Sequence, residues 1–121
     1  MERAPAGLLN RLLGALGGIA CAGAVGLGAY ASHGASGQAQ SWLQTASLYL
    51  FLHGLALLVL SPRAERRLEQ TALGALAAGM LLFCGSLIGA ALFGWPTRLA
   101  PIGGSTLILA WLTLGLSRLR R

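Results

Sequence analysis

Four long apolar runs, roughly residues 12–31, 42–60, 71–94 and 100–117, leave this chain few ways to fold. A membrane-crossing helix needs about 20 mainly apolar residues, and the runs supply that length or come close to it. In lipid every backbone N–H and C=O must find a partner inside the protein, and for runs of this length that means helix. The expectation is an all-α fold, a membrane-embedded four-helix bundle forming a single domain over residues 1–121. Charged residues make up 10% of the chain, too few to coat a domain in water. The runs are punctuated by Ser61-Pro62 ahead of "RAERRLEQ", by "GWP" at 94–96, and by Pro101, which suits a first helical turn. Connections of about ten, ten and five residues between these runs make neighbouring helices antiparallel, an up-down-up-down order.

Charge gives the direction. The chain has no Lys and no Asp; its nine basic residues are all Arg, set against three Glu. Nucleic-acid binders gather basic residues on one folded surface, whereas these arginines flank apolar runs, so nucleic acid is excluded as a partner and the lipid bilayer is expected. Arg3, Arg11, Arg63, Arg66, Arg67, Arg118, Arg120 and Arg121 fall on one side of the four spans and Arg98 on the other. By the positive-inside rule both termini are expected in the cytoplasm, with loops 32–41 and 95–99 outside and Tyr30, Trp42 and Trp95 at the outer boundary. Ala29-Tyr30-Ala31 resembles a signal-peptide cleavage site, but the apolar stretch before it is too long for that role and reads as a span.

Helices in lipid associate through close packing and interhelical hydrogen bonds. Gly14, Gly18, Ala22 and Gly26 recur at four-residue steps in the first run, and Gly74 with Ala78 and Gly85 with Gly89 in the third. They are expected to pack helices within the bundle or to form a seam between copies, and Gly-to-Leu changes at Gly18 or Gly85 to disrupt assembly. Cys21 and Cys84 lie inside apolar runs without metal-ligand spacing, so no metal is expected and both read as small packing residues.

Within the second run Thr45, Tyr49 and His53 stand at i, i+4 and i+8 and share one helix face. His53 lies about 15 Å along the helix from Trp42, near the bilayer midplane, where a polar group is costly without a partner. Cys84 and Ser86 on the third run are the facing groups at similar depth, with Thr106 nearer the outer end; His33 ends the first run at the water interface. The two histidines differ in depth, so a bis-His haem fits poorly and no cofactor is expected. Arg98 with Gly103 and Gly104 could make an anion or headgroup site at a helix start, although "PIGG" also serves a start that needs flexibility.

The strings "GAYASHG", "WLQTASLYLFLHGLALL", "LLFCGSLIGAAL" and "APIGGSTLILAW" occur in that order. In them the chain resembles the YgdD-like family of small bacterial inner-membrane proteins, also called domain of unknown function 423 and related to the transmembrane-protein-256 group. The resemblance covers roughly residues 20 to 115 and maps family motifs onto Gly28, His33, Trp42, Thr45, Tyr49, His53, Gly85, Ser86, Pro101, Gly103 and Gly104. Ala31 stands where the family pattern expects Gly, and Ile88 where an aromatic often follows. The resemblance implies a four-span inner-membrane protein and no established activity.

Three functions compete on the sequence. The first is a non-enzymatic packing or accessory protein of a membrane complex or a homo-oligomer. The second is a small dimeric transporter or proton-coupled channel using the Thr45, Tyr49 and His53 face, although Glu2, Glu65 and Glu69 all lie outside the spans. The third is an intramembrane enzyme with Ser86 as nucleophile and His53 as base; "CGSLIG" lacks the GxSxG spacing, so no catalytic residue and no enzyme are expected.

Overall fold

The computed structural model describes residues 7–119, and Glu2, Arg3, Arg120 and Arg121 of the charge argument lie outside them. Four helices make up the fold: α1 (Leu8–Gly34), α2 (Gly37–Leu60), α3 (Arg67–Phe93) and α4 (Leu99–Ser117), with a 3-10 turn at Ser61–Arg63. All four are long and apolar enough to cross a membrane, and no strand occurs among the described residues. The helices overrun the apolar runs at several ends, because backbone bonding does not stop where hydropathy does. The connection expected at 32–41 shrinks to Ala35 and Ser36, with Gly37 turning the chain at φ +62°, and His33 sits in the last turn of α1. At the end of α3, Gly94 adopts φ +72° and its N–H bonds to Ala90 C=O at 3.2 Å.

The main interfaces are α1 with α2, α3 with α4, and α2 with α3; α1 touches α3 only slightly. No substantial interface joins α1 to α4, so one flank of the bundle stays open. Half of the apolar window of α3 is buried, against 22–28% for the other three helices, which makes α3 the central element. The core packs Leu57 of α2, Leu73, Leu76 and Met80 of α3, and Leu107 and Leu114 of α4.

Both sequential pairs are built on glycine. A Cβ on Gly17 would stand 2.5 Å from the Leu58 backbone nitrogen and 2.9 Å from Leu57 Cβ, and one on Gly54 would stand 2.8 Å from Gly17 O. In the second pair a Cβ on Gly103 would stand 2.8 Å from Phe83 Cα, and one on Gly79 3.0 Å from Gly103 O. At each crossing two backbones touch with no side chain between them, the geometry that gives helices contact area in lipid.

The two ends differ. Asn10 Nδ2 donates to Ala64 C=O at 2.8 Å, joining the start of α1 to the segment after α2. Glu69 accepts from Arg118 and from the Arg66 backbone N–H, and the Arg66 guanidinium donates to Ser117 C=O, so the start of α3 is tied to the end of α4. These ties gather Arg11, Arg63, Arg66, Arg67 and Arg118 at one end, while Arg98 lies at the other. Removing the buried amide by Asn10→Ala is expected to cost about 1–2 kcal/mol, since Ala64 C=O loses its side-chain partner. Chemical unfolding in detergent micelles, followed by circular dichroism, would measure it.

Candidate functional site

The polar face of α2 turns into the bundle one residue at a time. Thr45 is half-buried, Tyr49 is at the edge of exposure, and His53 is only 5% exposed. His53 Nε2 accepts from the Trp111 indole N–H at 3.0 Å, and its Nδ1 lies 2.7 Å from Tyr49 C=O. An indole nitrogen can only donate, so Nε2 must be the bare nitrogen. The proton therefore sits on Nδ1, donating to the carbonyl one turn back, and the imidazole is neutral with both nitrogens engaged.

Rings complete the cluster. Tyr49 stacks on His53 at a centroid distance of 5.6 Å and an interplanar angle of 15°, and packs against Phe83 of α3 at 4.7 Å. Trp111 tilts against His53 at 5.6 Å. One histidine thus ties α2 to α4, and the stacked tyrosine carries the contact on to α3. Trp111 was not among the partners expected from depth. Flanked by Ala110 and Leu112 in an apolar run, it carries no sequence signal that pairs it with His53.

None of the groups expected opposite His53 bonds to it. Cys84 Sγ reaches Ala46 C=O on α2 at 3.5 Å, Thr106 Oγ1 donates to Ile102 C=O within α4 at 2.8 Å, and Ser86 Oγ is buried without a hydrogen-bond partner. Ser86 and His53 are therefore not hydrogen-bonded, and the imidazole has no nitrogen to spare for a serine. Ser47, passed over in the sequence, donates to Ala24 C=O on α1 at 2.7 Å, and Cys21 Sγ reaches Phe51 C=O at 3.6 Å. Three polar side chains thus link α2 carbonyls or hydroxyls to neighbouring helices, the kind of bond that holds helices in lipid.

The glycines expected to pack distribute unevenly. Gly14 and Gly18 make ordinary contacts at 3.7 Å with Pro62 and Leu58, while Gly26 and Gly85 have nothing within 4 Å of a built Cβ. Gly89 lies under the Trp95 ring, a loop side chain, and the tight backbone contact in α1 belongs to Gly17. A line of strict four-residue steps drifts by about 40° per step around a helix of 3.6 residues per turn, so Gly26 lies about 120° from Gly14. The buried face follows alternating steps instead, Asn10, Leu13, Gly17, Ala20, Ala24 and Ala31, with Gly14 the one residue of the four-residue line that is buried beside it.

At the opposite end Arg98 is exposed at the N-cap position of α4 without a side-chain capping bond, and Gly103 and Gly104 lie beyond the first turn, where N–H groups are bonded within the helix. Gly103 is pressed against the Phe83 backbone and Gly104 faces the Phe83 ring at 3.8 Å, so both serve the α3–α4 crossing rather than an anion. Beside them a groove of about 530 Å³ opens between α2 and α4, lined by Trp42, Phe83, Pro101, Gly104 and Ile108 among others. No group of three or more metal-ligating side chains occurs among the described residues.

Residues 27–104 match the model of a family described as "Protein of unknown function (DUF423)". A UPF0382 membrane protein of Haemophilus influenzae is 34% identical over 111 residues, covering 83% of this chain and 85% of that protein. A UPF0382 membrane protein of Schizosaccharomyces pombe is 35% identical over 103 residues, covering 74% of this chain and 86% of that protein. No solved structure matches. The family match includes the whole α2 face and stops before Trp111.

Proposed function

The chain belongs to the DUF423 family of membrane proteins, and from that premise we propose that it is a non-enzymatic accessory protein of the bacterial inner membrane. Its role is to pack against a larger membrane complex or against further copies of itself. The observation that carries this reading is the open flank between α1 and α4. Ile19 and Val25 on α1, and Ile108, Leu109 and Leu112 on α4, are large apolar side chains left exposed, and Gly26 offers a neighbour close backbone approach. The neutral, fully bonded His53 supports the same reading, because a proton carrier needs a nitrogen that can change partners. Purification of the full chain in mild detergent, with light scattering and mass spectrometry of what co-elutes, tests it. A monomer without partners, at every detergent tried, would overturn it.

The arginine end faces the cytoplasm in this proposal, with both termini inside. Ser36→Cys and Glu65→Cys, each at an exposed position at opposite ends, report the orientation. A membrane-impermeant maleimide added to intact spheroplasts is expected to label the first variant at once and the second only after lysis. The opposite order would invert the topology.

A further inference from the structure

At the arginine end a groove of about 330 Å³ is lined by Leu60 at the end of α2 and by Trp111, Leu114, Gly115 and Arg118 on and just after α4. Its walls are apolar, its membrane-ward limit is the Trp111 ring, held in place by the bond to His53, and its mouth is a half-exposed guanidinium. Gly115 leaves the slot clear, since a Cβ there would meet nothing within 4 Å. Arg118 is pinned to Glu69 through Nη1, and a guanidinium has five N–H donors, so others remain for a ligand at the mouth. Five described arginines against two glutamates give this end a positive field.

We propose that this groove seats an anionic phospholipid, its phosphate on Arg118 and one acyl chain along Leu60, Leu114 and Gly115 as far as Trp111. A cation over an apolar slot between helices at the membrane boundary matches both halves of such a lipid. A zwitterionic headgroup would bring its own ammonium into the same positive field and gain less. The proposal rests on the arginine end lying at the headgroup level; it does not need the accessory role.

The full chain, reconstituted in nanodiscs of phosphatidylcholine with a minority of phosphatidylglycerol and released for native mass spectrometry, gives the ratio of the two lipids retained. The wild type is expected to enrich phosphatidylglycerol about fivefold, the worth of one arginine near an anionic surface. Gly115→Leu fills the slot without touching charge or core and is expected to abolish the enrichment, as is Arg118→Gln. Glu69→Gln frees Arg118 while leaving it cationic, so enrichment persists; Arg98→Gln, at the far end, changes nothing. Enrichment that survives Gly115→Leu would show diffuse attraction to the arginines and overturn the groove. Its loss in Glu69→Gln would make Arg118 a structural partner only, and no enrichment in the wild type would end the proposal outright.

Discussion

Gly17→Leu is expected to unseat α1 from α2. The added side chain would begin 2.5 Å from the Leu58 backbone nitrogen and 2.9 Å from Leu57 Cβ, so a backbone has to move rather than a rotamer. Overpacking a tight site costs about 1–3 kcal/mol, and here the lost crossing also gives up the contact area that holds the pair together in lipid. The loss should be at the upper end of that range or beyond it. The matched controls are Gly26→Leu and Gly85→Leu, whose built Cβ atoms meet nothing within 4 Å, and these should stay within about 0.5 kcal/mol of wild type as monomers. Unfolding in detergent reports the first effect. If Gly26→Leu also lowers the oligomeric state without lowering stability, the outward face of α1 is the seam between copies. Equal stability of Gly17→Leu and wild type would mean that α1 is not docked as described.

His53→Ala is expected to cost about 1–3 kcal/mol and to loosen α4 from α2. It leaves the Trp111 indole N–H without its acceptor and removes the ring on which Tyr49 stacks. His53→Gln separates the two losses, since its amide oxygen can accept from the indole while the stacking surface is gone. The glutamine variant should recover part of the stability and keep the Trp111 indole proton shifted in an NMR spectrum of indole-labelled protein. An indole signal unchanged in both His53→Ala and His53→Gln would remove His53 from the tie.

Span number, element type and charge asymmetry are legible in the sequence because each follows from a local property: run length, apolar content, or the position of arginines. The identity of interhelical partners is not local. His53 announces itself as a residue needing a partner, but only the packing of α3 against α2 and α4 selects Trp111 over Ser86, and of those two crossings the α3–α4 one is set by Gly79 and Gly103. Gly17 stands outside the four-residue glycine line of the first run, whereas a helix buries alternating three- and four-residue steps. The roles of Asn10 and Glu69 are hidden for another reason: they stand at or beyond span ends, where polarity looks like solvent exposure, yet each carries a bond between elements distant in the chain.

The two glycine crossings lie within sequential pairs, α1 with α2 and α3 with α4, and that arrangement bears on how the protein is made. Each pair closes through a short connection, so its contacts form at low loop-closure cost and need nothing synthesised later. The first hairpin can be complete before the second leaves the ribosome. The His53–Trp111 bond has to wait for the final helix, and together with the α2–α3 face it joins the two halves into one molecule.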